Sequence, residues 1–126
     1  MEPYTSDKAK RKKKPYKDYS FSNPDVDGAV ISSIEGLPIA SALPPNVEEA
    51  KFAALTASTM TLSERFVVEM GKGDLDYLVI KSSDGCIIKS QAGPNAFLSV
   101  STTKTARLGL ILLDMKRTAQ KIAMLI

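Results

Sequence analysis

Residues 76–101 read DYLVIKSSDGCIIKSQAGPNAFLSVS. Three runs rich in β-branched and aromatic residues stand in this stretch, at 76–81, 86–89 and 96–101. Asp84-Gly85 separates the first two, and Asp-Gly between apolar runs is a strong hairpin signal because such turns need positive φ. Gly93-Pro94-Asn95 then turns the chain into the third run. The spacing predicts a meander of three short strands.

Upstream, Asp27-Gly28 leads into an apolar run at 29–33, and Glu35-Gly36 leads into another at 37–42. Two short apolar runs joined by a Gly-containing turn predict a β-hairpin. Pro38 cannot donate a ladder hydrogen bond, which marks the second strand as an edge. Between hairpin and meander, residues 47–70 contain neither proline nor glycine, and Gly71 and Gly73 follow as stop signals. This predicts a long helix with Asn46 as its N-cap and Glu48 and Glu49 in the first turn. On a helical wheel Phe52, Leu55, Thr59, Leu62, Phe66 and Met70 share one stripe, while Ala50, Ala54, Ala57, Thr61 and Val68 fall on another. We expect the large residues to meet the sheet. The alanine stripe suits the close approach of a second helix, which the chain does not itself offer.

Downstream of the meander, Leu108, Ile111, Leu112, Met115, Ala119, Ile122 and Ile126 recur at helical spacing, with Lys116, Arg117, Gln120 and Lys121 opposite them. An amphipathic helix is expected there. The whole order is β-β-α-β-β-β-α, an α/β (α+β) architecture within one domain of residues 23–126.

At 126 residues, 44% of them apolar and 25% charged, the chain matches one soluble globular domain. No apolar run reaches the roughly 20 residues a membrane helix requires. Lysines rather than an apolar segment follow the first residues, so no secretory signal is expected and a cytoplasmic location is. The lone Cys86 allows no internal disulfide, in keeping with a reducing compartment. Charge is unevenly placed. Residues 1–20 carry seven bases (Lys8, Lys10, Arg11, Lys12, Lys13, Lys14, Lys17) against Glu2, Asp7 and Asp18, a balance of +4, so the other 106 residues sum to −1 out of the total of +3. The sequence pI near 9.0 is therefore a property of the tail, and the usual inference from a basic pI to a nucleic-acid-binding domain does not extend to the folded part. Residues 1–22 show no helical or strand period and read as a mostly disordered basic tail.

The ordered set of local sequences resembles the roadblock (dynein light-chain roadblock-type) family. It comprises Asp27-Gly28-Ala29-Val30, the run from Glu35-Gly36-Leu37 to Ser41, and the alanine-rich helix with Ser63-Glu64-Arg65. Gly71-Lys72-Gly73-Asp74-Leu75, Asp84-Gly85 and Leu108-Gly109-Leu110-Ile111 complete it. The resemblance implies a five-stranded antiparallel sheet between helices, dimerisation through the long helix and the third strand, and a role as scaffold or regulator of small GTPases. Such domains usually begin with an amphipathic helix, and residues 1–24 contain no such pattern, so the first helix is expected to be missing.

The chain has no histidine, which removes the commonest general base and the commonest zinc ligand. Cys86, at the head of an apolar strand, reads as a small buried hydrophobe. Asp74, Asp76 and Asp84 lack the alternation and closing Glu of a calcium loop and read as turn residues. Gly71-Lys72-Gly73 lacks the spacing of a phosphate loop. Arg65 and Arg107 could be supplied to a GTPase in trans, but a helical arginine is usually solvated. No catalytic residue, metal or cofactor is therefore expected. We expect instead a homodimer, or a heterodimer with a paralogue, using Ala50, Ala54, Ala57, Thr61 and Val68 together with Tyr77 and Val79 of the third strand, and binding a Ras-like small GTPase. Leu110 and Leu113 lie off the main stripe of the last helix and suggest a partner groove, or a cover made by Tyr16, Tyr19 and Phe21. The run Lys10, Arg11, Lys12, Lys13 and Lys14 leaves open a second reading, a dimer whose tail attracts nucleic acid or an anionic membrane surface.

Overall fold

The computed structural model describes residues 23–126. The tail and its lysine run, the missing first helix, and the cover by Tyr16, Tyr19 and Phe21 all concern residues outside that range.

In chain order the elements are β1 (Val26–Ser33), β2 (Pro38–Ala42), α1 (Glu49–Glu69), β3 (Leu78–Ser82), β4 (Gly85–Gln91), β5 (Ala96–Thr102) and α2 (Leu108–Leu125). The strands form one antiparallel sheet in the order β2-β1-β5-β4-β3. Both hairpins of the sequence reading are present, and β2, headed by Pro38, is an edge strand as expected. The other edge is β3. In the β3–β4 hairpin Ser82 pairs with Gly85, so the turn residues are Ser83 and Asp84 and the glycine opens the strand. Gly85 has φ +147°, and a Cβ there would fall 2.1 Å from the carbonyl oxygen of Thr102. No other residue fits.

Strand side chains alternate between faces, and the two faces differ in chemistry. One carries Ile31, Ala40, Cys86, Ile88, Leu98 and Val100, which pack with Ile111, Met115 and Ile122 of α2 into the apolar core. Cys86 is a buried member of that core. The opposite face carries Val30, Ser32, Lys89, Phe97 and Ser99 and is covered by α1, whose buried residues are Ala53, Thr56 and Met60. Thr56 and Ser99 share a hydroxyl–hydroxyl bond of 3.1 Å, and Lys89 Nζ donates to Thr59 Oγ1 at 3.1 Å.

This arrangement corrects the expected orientation of α1. Leu55, Leu62, Phe66 and Met70 do not meet the sheet; they face outward, 55–70% exposed. The sheet beneath α1 presents Ser99 and Lys89, which bond the Thr56 and Thr59 hydroxyls where leucines would leave them unpaired, so the seam is Ala53-Thr56-Met60. The alanine flank also has an intrachain neighbour. Gly36, at φ +95° in the β1–β2 turn, lies so close to the helix that a Cβ would sit 3.2 Å from Ala54 Cα and from Ala57 Cβ. Small residues at 54 and 57 thus admit the hairpin turn.

The ends of α1 also have local causes. Asn46 is not the N-cap: it lies in a turn closed by the Val47 N–H on the Pro44 carbonyl, 3.1 Å, and the helix starts after Glu48. The Ser41 hydroxyl donates to the Glu49 carboxylate, tying the first helical turn to β2. At the other end Lys72 N–H bonds the Val67 carbonyl and Gly71 N–H bonds Val68, the paired pattern of a Schellman cap.

Candidate interaction surface

On a helical wheel Leu55, Leu62 and Phe66 fall within about 40° of one another, along roughly 16 Å of helix. Their exposures are 57%, 55% and 64%. The stripe has a definite position over the sheet. Phe52 and Thr59, beside it on the wheel, touch Lys89 of β4: the ammonium lies 5.4 Å from the Phe52 ring centroid and bonds Thr59. Lys89 pairs with Leu78 of β3. The apolar stripe therefore runs along the flank of α1 that looks toward the open edge β3, while the alanine flank looks toward the β1–β2 turn.

On β3 itself Leu78 and Val79 are half-buried and Ile80 is 39% exposed, with Tyr77 just ahead of the strand at 46%. One side of the strand pairs with β4; among the described residues no strand pairs with the other. Lys89 sits at the junction of stripe and edge strand. It is 4% exposed, and burial lowers the pKa of its ammonium.

The site residues named from sequence are thus partly brought together. Tyr77 and Val79 lie on the open edge. Ala50, Ala54, Thr61 and Val68 are exposed and Ala57 half-buried, on the flank away from β3. Sequence reasoning put Leu55, Leu62 and Phe66 in the core; the signal that could have placed them outside is the polar character of 32, 89 and 99 at alternating strand positions. Leu113 borders a groove of about 730 Å³ between α2 and the sheet, lined also by Tyr77, Ser90, Gln91, Lys116 and Ala123. Leu110 does not line it but is exposed on α2.

Arg107 is not an unoccupied arginine: its Nε is 3.2 Å from Asp25 Oδ2, which also accepts the Arg107 N–H. These bonds hold the Asp25 carboxyl below its ordinary pKa and pin the start of β1 to the start of α2. Among the described residues no group of three or more His, Cys, Asp or Glu is placed to hold a metal ion, and no helix is long and apolar enough to cross a membrane.

A five-stranded antiparallel sheet of this order, with one helix on each face and β3 at an open edge, defines an α+β domain of roadblock type. The chain belongs to the Roadblock/LC7 domain family, whose model matches residues 18–102. Two uncharacterized proteins of Methanocaldococcus jannaschii are each 34% identical over 97 residues, 77% of this chain and 84% of theirs. In fold, the chain is similar to the Roadblock/LC7 domain from Streptomyces avermitilis, at TM-score 0.77 and 20% identity over 84% of this chain and 89% of that one. It is also similar to Myxococcus xanthus MglB, at TM-score 0.74 and 17% identity over 91% and 88%. An MglB structure with a tetrameric arrangement aligns at TM-score 0.75 and 20% identity over 94% and 87%.

Proposed function

We propose that the chain is a homodimeric, non-catalytic platform that binds a Ras-like small GTPase. The observation that carries this reading is the outward apolar stripe of α1 beside the unpaired strand β3. Leucines and a phenylalanine held in water forgo roughly 25 cal/mol for each Å² that could be buried, and contiguous exposed apolar surface beside an open strand edge is what a subunit interface uses. A second copy joined there by two-fold symmetry meets the same surface on its partner. The interface then centres on Leu55, Leu62, Phe66, Tyr77 and Val79. Ala50, Thr61 and Val68 stand farther from it, and Ala54 and Ala57 serve the hairpin turn. Roadblock membership and the likeness to MglB support the GTPase half of the proposal, as does a sequence without histidine or phosphate loop, which suits positioning a partner's catalytic groups rather than supplying its own.

The test is a titration of the full chain against the purified Ras-like GTPases of its source organism, each loaded with GDP or a non-hydrolysable GTP analogue. Saturable binding to one of them, with one nucleotide state preferred, is expected. The reading fails when none binds in either state, or when the chain alone turns over GTP above background.

A further inference from the structure

The groove between α2 and the sheet has one helical wall and one wall from the β3–β4 side. On the helical wall Leu112, Lys116, Ala119 and Ala123 fall within about 60° on the wheel, along roughly 16 Å of α2. They stand about 100° round the helix from its buried side of Ile111, Met115, Thr118 and Ile122. Leu112, Ala119 and Ala123 are half-buried, and Lys116 is exposed. The other wall carries Asp76 and Tyr77 ahead of β3, and Ser90 of β4. Gly93, at φ +83°, closes one end, where a Cβ would lie 2.7 Å from the Ala123 Cβ.

Width, polarity and charge converge on one kind of occupant. α2 packs on β5 and β4, and a helix laid beside it at the usual spacing of about 8–10 Å lies two strand spacings toward β3, where the groove runs. Ala119 and Ala123 are small enough for such a helix to approach closely. Ser90 Oγ is buried with no hydrogen-bond partner among the described residues, whereas a buried hydroxyl normally has one; a polar side chain of the occupant would supply it. Lys116 stands on the helical wall and Asp76 on the opposite one. A helix with acids along one flank and bases along the other therefore complements both walls. A second α2 brought in by two-fold symmetry would instead set Lys116 beside its own image, a repulsive contact.

We propose that this groove is the docking site for an amphipathic helix of a partner protein. Its apolar stripe rests on Leu112, Leu113, Ala119 and Ala123, its acids face Lys116, and a base faces Asp76. The inference goes beyond the GTPase reading and does not depend on it. Tyr77 borders both the groove and the proposed subunit interface, so the test is made on α2.

A fluorescein-labelled peptide of about 16 residues, with leucines at i, i+3 and i+4 spacing, glutamates on one flank and lysines on the other, is titrated with the full chain by fluorescence anisotropy. Saturable binding is expected, and a peptide with lysines on both flanks should bind roughly fivefold more weakly. Lys116→Glu should abolish or reverse that preference. Leu113→Ser, an exposed position, should weaken binding of the first peptide roughly tenfold, with circular dichroism confirming the fold. Leu62→Glu/Phe66→Glu should leave binding unchanged, because α1 lies on the opposite face of the sheet. Absence of binding overturns the proposal, as does its loss in the α1 variant, equal affinity for the two peptides, or a preference that Lys116→Glu leaves intact. A mass of four chains that Leu113→Ser halves would give the groove to a second copy. A photo-crosslinker attached through Leu113→Cys that captures residues 1–22 of the same chain would give it to the chain's own N-terminal segment, and either result overturns the proposal too.

Discussion

Lys89 carries an ammonium into the layer between α1 and the sheet, where Thr59 Oγ1 accepts from it and the Phe52 ring lies beside it. Burial lowers its pKa below the ordinary 10.5, so between the two values the unfolded chain binds more protons than the folded one, and stability rises with pH through that window. Lys89→Met removes the desolvated charge. We expect the variant to be more stable than the parent at pH 7, with the gap narrowing toward pH 10.5; denaturant titrations at both pH values measure it, and a gap that widens contradicts the account. Asp25 behaves with the opposite charge and the same logic. Its pKa is held below 3.8 by the Arg107 N–H and guanidinium, so its contribution is complete above 3.8 and is lost as pH falls through the lower folded value. Asp25→Asn should therefore flatten the acid limb of the stability profile below pH 3.8 and leave its shape near neutrality unchanged. At Gly85 a methyl group would overlap the Thr102 carbonyl, and we expect Gly85→Ala to cost about 1–3 kcal/mol, readable as a lower denaturation midpoint.

Among the elements, α1 best separates what the sequence makes legible from what it does not. Its existence followed from 24 residues free of proline and glycine, and its end from Gly71, because both are local properties. Its start lies two residues later than expected, since a turn closed by Pro44 competes with capping by Asn46. Its rotation was not legible, because periodicity shows that two stripes exist without saying which one the sheet accepts. The decision lies in residues distant in sequence, Lys89 and Ser99, which bond the hydroxyls of Thr59 and Thr56. The strands were readable to within two or three residues because turn chemistry and β-branched runs are local. Leu110 and Leu113, singled out for lying off the main stripe of the last helix, are both exposed. The rotation carries its own consequence: Leu62→Glu and Phe66→Glu alter positions exposed on the single chain and should leave a folded domain even where the dimer is lost, whereas Met60→Glu places a charge in the buried seam and should unfold the domain. Circular dichroism melts of the three variants distinguish this orientation from one with the leucines against the sheet.

At the scale of the molecule, two faces have separate duties in this account. The α1 face, apolar and next to the open strand, joins subunits; the α2 face, apolar and basic, stays free of that interface. The element order and the family were accessible from the sequence because an ordered set of weak turn and strand motifs is specific where each alone is not. The surface expected from sequence to join two copies, Ala50, Ala54, Ala57, Thr61 and Val68 with Tyr77 and Val79, shares its β3 residues with the one proposed, and differs on α1 because periodicity does not say which stripe the sheet leaves uncovered. The most direct test is the mass in solution, by light scattering at low micromolar concentration, of the parent chain and of Leu62→Glu/Phe66→Glu. The account expects twice the 13.6 kDa chain mass for the parent and a folded monomer for the variant; a monomeric parent, or a variant as dimeric as the parent, would contradict it.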